Sequence, residues 1–221
     1  MRLGRAPRGD RKLVKAAEEA ARPWQGSAYY DRAESRLAVW WGPDSVFRPL
    51  LDRLDLDHVV DLACGHGRHT EQLRRLAGQV TAMDVLEENV AHCRGRFAAD
   101  PRVTVLRNNG VDFQPLADAS VTAIVCYDAM VHFPSDVVAS YLRDAARVLV
   151  PGGRALLQVS NLDTPQTADY GRNPHARNHM TEELIKQFAA AAGLTIEHSQ
   201  KIGWGGPSGI PALDRIVLLR R

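Results

Sequence analysis

At 221 residues with 45% hydrophobic and 24% charged content, the chain is long enough for one substantial core, and its composition is that of a soluble globular protein. A formal net charge of +2 gives no global argument for nucleic acid or an anionic membrane, and no apolar run approaches the roughly 18 residues of a membrane span. Three cysteines, Cys64, Cys93 and Cys126, with no CxxC pair, argue against a disulfide framework or zinc site and for a reducing, cytoplasmic setting.

Residues 1–25 read as a partly disordered tail followed by helix formers, "RKLVKAAEEAARPW", up to Pro23, with no function assigned to them. Residues 26–56 read as a helical cap that gathers Tyr29, Tyr30, Trp40 and Trp41 and ends in the helix "SVFRPLLDRL". The β-branched run "DHVVDLAC" is a strand ending near Ala63, apolar enough for the centre of a parallel sheet. A helix from about Arg68 to Gly78, the strand "QVTAMD", a helix with Glu87 and Glu88 in its first turn and the strand "RVTVLR" follow. After the strand "SVTAIVCY", Ser135 is read as the cap of the helix "DVVASYLRDAARVLV", and "PGG" as its stop before the strand "RALLQVS". The polar stretch 161–180 is too long for a simple connection and reads as a substrate lid. Thr181 caps the helix "TEELIKQFAAAAG", and "LTIEHSQKIGW" and "LDRIVLLR" form a closing hairpin. This alternation predicts an α/β fold in which residues 26–221 are a single domain: a doubly wound, mostly parallel, seven-stranded sheet with an antiparallel last strand.

Chemistry concentrates in "VVDLACGHGRHT", Val59 to Thr70. A strand delivers Asp61, and the chain turns through Ala63, Gly65 and Gly67 into a helix whose first amides lack partners, an arrangement suited to a nucleotide-like ligand. The dinucleotide pattern GxGxxG fails because Thr70 stands at its third glycine, which disfavours a nicotinamide-dependent reductase, and no P-loop is present. Asp84 ends the next strand about twenty residues after the turn, the spacing at which a carboxylate reaches ribose hydroxyls. Capping of the following helix is the competing reading.

These motifs, together with "RVLVPGG" before the fifth strand, resemble the class I S-adenosylmethionine-dependent methyltransferases over most of residues 59–220. The resemblance implies a Rossmann-like fold with a helical N-terminal cap and S-adenosylmethionine as cofactor. Asp84 and Val85 would then hold the ribose end. The Gly65 and Gly67 backbone would pass beneath the methionine part, with Ala63 in place of the family's usual first glycine. Asp61 would organise the loop or meet the amino group, and Tyr127 would line the pocket. Asn109, Gly110 and Val111 stand where the family contacts adenine, although an aspartate is more frequent at Gly110.

The segment "CYDAMVHF" lacks the signatures of nucleic-acid base methylation, so no nucleic-acid or membrane partner is expected. Asp128 and His132 emerge at the carboxyl end of the sheet, where a histidine suits the removal of a hydroxyl proton. His179 competes for the base, and Asp128 would orient a base, touch substrate or join a metal. No metal site is favoured, magnesium being the minor option. Short-motif similarity to bacterial sugar and small-molecule O-methyltransferases points to a saccharide hydroxyl as acceptor. Tyr29, Tyr30, Trp40, Trp41 and Trp204 would stack on its rings, and His175 and Asn178 would bind hydroxyls. The alternatives are a non-sugar acceptor methylated on oxygen or nitrogen, and a catalytically silent donor-binding protein; a homodimer is left open.

Overall fold

The computed structural model describes residues 8–164, 173, 175–204 and 210–221. Seven strands, β1 (His58–Leu62), β2 (Gln79–Asp84), β3 (Val103–Arg107), β4 (Val121–Cys126), β5 (Leu149–Ser160), β6 (Thr195–Trp204) and β7 (Ile210–Arg220), form one sheet in the order β3-β2-β1-β4-β5-β7-β6. β1 to β5 pair in parallel, and β7 lies antiparallel to both β5 and β6. The doubly wound sheet expected from the alternation is therefore present. Strand order reverses between β1 and β4, and the crevice outside their carboxyl ends is where ligands bind in open α/β sheets.

Apolar side chains leave both faces of the central strands. On one face Val60, Leu62 and Ile124 pack with α7 (Ser135–Val148) through Val138, Leu142 and Ala145, and with α8 (Glu182–Ala191) through Ile185 and Ala189. On the other face Val59, Val80 and Val125 meet Phe47, Leu51 and Leu73. The two faces bury the central strands β1 and β4 almost entirely, so these read as largely apolar runs rather than alternating ones.

Four local expectations need correction. The PGG run does not precede β5 but lies inside it, because Leu149 already pairs with Val121 and the Gly152 and Gly153 backbone bonds Arg221. Pro151 fits at the shifted register between Val121 and Ala123, where no ladder donor is required of it. Ser135 gives α7 no side-chain cap and instead donates from Oγ to the His179 carbonyl at 2.5 Å. The helix expected over residues 45–54 shrinks to α4 (Arg48–Leu51), with Pro49 in its first turn. Finally, a boundary at residue 25 does not follow the packing: α1 (Arg8–Ala21) places Ala17 in the same apolar cluster as Val60 and Met83. Thr181 does cap α8, accepting from the Leu184 amide at 3.1 Å. No described helix is long and apolar enough to cross a membrane.

Candidate active site

The glycine turn after β1 is built by backbone conformation and by two carboxylates. Ala63, Gly65 and Gly67 all take positive φ, at 57°, 55° and 83°. Alanine does permit the turn, at the steric cost of a left-handed L-residue. Glycine is required at 65 on a second count, since a Cβ there would stand 2.7 Å from Cε1 of Tyr30. Asp84 accepts from the Gly65 amide at 3.0 Å through one oxygen and from the Leu86 amide at 2.9 Å through the other. It is not the helix cap, because α6 (Glu87–Arg96) starts after Leu86. Burial pushes the Asp84 carboxyl above its ordinary range, opposed by these amide bonds.

Asp61 sits deeper and accepts from Thr70 Oγ1 at 2.5 Å, tying the end of β1 to α5 (Arg68–Leu73). Burial raises its pKa to about 7, against the Thr70 bond and the Arg68 charge. An unfolded chain ionises this group near its ordinary value, so the native state loses stability as pH rises from about 4 to 7, by up to about 4 kcal/mol. Asp61→Asn retains an acceptor for Thr70 and should narrow the stability difference between pH 5 and pH 8 in urea titrations. An unchanged difference would mean that Asp61 is already ionised at pH 5.

From this turn a cleft opens beside β1, β2 and β4, walled by apolar and aromatic side chains with a few polar groups among them, the make-up common to small-molecule sites. Of the three residues expected at adenine, only Gly110 lines this cleft. Asn109 turns into its own loop, accepting from the Val111 and Asp112 amides at 3.0 and 3.1 Å, and Val111 belongs to the core. Asn108 lines the cleft instead, donating to the Tyr141 hydroxyl at 2.9 Å. Gly110 has φ +81°, and a Cβ on it would lie 2.9 Å from that of Ala17. Helix α1 thus occupies the room of the aspartate common in the family, closing this wall with Ala17, Ala20 and Ala21.

At the other end, Tyr127 and Asp128 follow β4 into the cleft. Asp128 takes φ +60°, and its amide donates to Gln158 Oε1 at 2.8 Å. Its carboxylate, with a side chain only 2% exposed, accepts from Arg68 Nη2 and from the Tyr29 hydroxyl. The expected roles of orienting a base or joining a metal give way to a buried ion pair, and no described group of three metal-type ligands exists. The Arg68 guanidinium also lies 5.7 and 5.8 Å from the Tyr29 and Trp40 ring centres.

His132 lines the cleft in the 3-10 turn Met130–His132, buried against the Trp24 ring at 5.1 Å. Its Nδ1 is 2.8 Å from the Ala176 carbonyl, so the proton is assigned to Nδ1 and the lone pair to Nε2. Burial lowers its pKa to about 3, the Ala176 carbonyl opposing and Arg177 and His175 adding to the effect. Residues 176–178, which meet His132 through the Ala176 carbonyl, form a strap anchored at two points. Arg177 forms a bidentate pair with Asp214 at 2.7 and 2.9 Å, and the Asn178 amide donates to the Val131 carbonyl at 2.9 Å. Asp214 accepts from Gln158 Nε2 at 2.7 Å, so the strap and Asp128 share one buried polar chain.

Several predicted site residues lie elsewhere. His179 is not among the cleft-lining residues: its backbone bridges to Leu162 and its Nδ1 is buried with no partner among the described residues. Asn178 is buried and donates from Nδ2 to the Phe133 carbonyl, so it supports the strap rather than facing a substrate. Trp40 belongs to the core against Tyr127 and Phe47. Trp41 is tied to His69 Nδ1 by a 3.0 Å bond. Tyr29 and Tyr30 do line the cleft, and His175 stands at its rim, 5.9 Å from Tyr29. The side chain of Trp204 and nine residues of the predicted lid, 165–172 and 174, lie outside the described residues.

Residues 59–153 match the family described as "Methyltransferase domain". Residues 59–153 thus carry the sequence pattern of a methyltransferase domain. It is 35% identical over 153 residues to a probable S-adenosylmethionine-dependent methyltransferase of Mycobacterium tuberculosis, covering 68% of this chain and 54% of that one. It is 32% identical over 137 residues to a ubiquinone biosynthesis O-methyltransferase of Xanthomonas oryzae, covering 55% of this chain and 56% of the other. The chain therefore spans about half the length of the curated relatives it matches. Among solved structures, a methyltransferase from Mesorhizobium loti superposes with a TM-score of 0.64 at 19% identity, covering 79% of this chain and 97% of that one. A geranyl diphosphate methyltransferase in complex with S-adenosylmethionine gives 0.63 at 16% identity, covering 79% and 83%. These two likenesses concern the fold.

Proposed function

We propose that this chain transfers the methyl group of S-adenosylmethionine to a hydroxyl of a small, largely apolar acceptor. The observation that carries this reading is one continuous cleft joining the Asp84 and Gly65 turn to the free Nε2 face of His132, between walls of Ala20, Trp24, Phe133 and Pro134. With Trp40 in the core and the half-buried Trp41 packed against it and bonded to His69, neither ring lines the cleft, and the non-sugar alternative gains.

The residues present fit the donor. Asp84 keeps spare acceptor capacity on each oxygen for a ribose diol. Asn108 and Gly110 face the adenine end, and the glycine turn lets backbone approach the amino-acid part. When bound, S-adenosylmethionine supplies an electrophilic methyl group on a sulfonium sulfur.

His132 would take the acceptor proton at Nε2, with Nδ1–H held on the Ala176 carbonyl. Its depressed pKa keeps the ring neutral and receptive throughout the physiological range. Weak basicity suffices because a hydroxyl oxygen that has begun to bond carbon is a far stronger acid than an imidazolium. Trp24 and the apolar wall exclude water from the same face.

Calorimetry with S-adenosylmethionine and with a nicotinamide dinucleotide, followed by transfer of labelled methyl to panels of phenols, terpenoid alcohols and saccharides, each with neutral, carboxylate and phosphate members, tests the proposal. Donor binding with transfer to apolar hydroxyls is expected. Donor binding with no transfer to any panel would favour a silent donor-binding protein, and transfer to saccharides alone would reverse the acceptor choice. His132→Gln should lower kcat at least tenfold with little change in donor affinity, and the wild-type rate should show no inflection from this group between pH 5 and 8.

A further inference from the structure

The main cleft does not end at Tyr29. A second hollow, with about 600 Å³ of empty space, adjoins it and shares Tyr29 and Ala33; its remaining walls are Arg32, Arg36 and His175. Arg32 belongs to α2 (Tyr29–Glu34), and Arg36 follows four residues later, just before α3 (Leu37–Trp41). Both side chains are exposed, and neither forms an ion pair with a described residue.

Most described arginines are matched to carboxylates; Arg11, Arg22, Arg143 and Arg221 share the unpaired state among the described residues but line neither hollow. Glu34, between the two, is held by Arg96, and Arg74, Arg102 and Arg147 each have an acidic partner. Two guanidinium groups spaced i, i+4 repel one another, and Arg32 also adds to the field that keeps the nearby His175 below its ordinary pKa, behind burial and Arg177. Positive potential at the mouth of a low-dielectric cleft concentrates anions there, and guanidinium forks match carboxylate and phosphate oxygens.

The inner side of this hollow is aromatic. Trp24 stands 5.3 Å from Tyr29, 5.1 Å from His175 and 5.1 Å from His132. A molecule whose anionic group sits between Arg32 and Arg36 therefore meets, in order, the aromatic edge of Trp24 and Tyr29 and then the His132 face.

We infer that Arg32 and Arg36 form an anion subsite that selects acceptors carrying a carboxylate or phosphate group at one end and the methyl-accepting hydroxyl at the other. This specifies the substrate class of the proposed methyl transfer and rests on that reading.

The protein saturated with S-adenosylhomocysteine would be titrated with 4-hydroxybenzoate, 4-hydroxyphenyl phosphate and neutral 4-hydroxybenzyl alcohol, following tryptophan fluorescence. At least one anion should bind tenfold or more tightly than the alcohol, and the preferred anion distinguishes carboxylate from phosphate. Arg32→Gln/Arg36→Gln should remove the advantage while leaving S-adenosylhomocysteine affinity unchanged. Equal affinity for anions and alcohol, no binding of either anion, or an advantage that survives in the double variant would overturn the subsite. Failure of S-adenosylhomocysteine itself to bind would instead remove the methyl-transfer reading.

Discussion

Replacing Asp84 with alanine is expected to weaken S-adenosylmethionine binding roughly 100-fold, from the loss of about two hydrogen bonds to a charged group at ~1.5 kcal/mol each. The same substitution leaves the Gly65 and Leu86 amides without their acceptor, so the melting temperature should fall as well. Asp84→Asn separates the two effects, because its single carbonyl oxygen can still satisfy one amide. Calorimetry and thermal unfolding on both variants decide the matter. A melting-temperature loss with unchanged donor affinity would leave Asp84 a purely structural residue.

Arg68→Met is expected to have the largest effect on stability. It strands the Asp128 carboxylate in a site where Arg68 and Asp128 side chains are 11% and 2% exposed, and breaking a buried pair from one side costs about 3–5 kcal/mol. Asp128→Asn should be tolerated better, since asparagine accepts the left-handed backbone found there and keeps an acceptor for Tyr29. The double variant should recover most of the loss, because it removes both charges together. Urea unfolding of the four proteins measures the coupling. A loss below 1 kcal/mol for Arg68→Met would show that water reaches the pair.

The sheet was legible because strands buried on both faces carry apolar residues at consecutive positions, as Val59 and Val60 do in "HVVDL" and Ala123, Ile124 and Val125 in "VTAIVC". The glycine turn and Asp84 were legible for a local reason: positive φ and a strand-end carboxylate are properties of a few consecutive residues. The acceptor end was not. Trp40 and Trp41 looked like a stacking platform, yet their burial depends on Phe47 and Tyr127, which no local pattern brings together. Ala17 and Ala20 read only as helix formers, although their smallness is what lets α1 approach Gly110. Arg68 reads as the first residue of a helix, and nothing in its neighbourhood names Asp128, sixty positions later, as its partner. Asn108 rather than Asn109 lines the cleft, because the loop after β3 turns the first asparagine inward and the second on itself.

The strap above His132 is fastened through Asp214 and Gln158 to β7 and β5, whereas Asp84, Gly65 and Asn108 hang on the ends of β1, β2 and β3. The two halves of the cleft thus draw on opposite sides of the sheet and are joined chiefly through Arg68 and Asp128. A lineage could exchange one acceptor for another by rewriting α2, α3 and the strap while its donor machinery stays untouched. In the laboratory the same division marks which positions to randomise when the aim is a new methylated product.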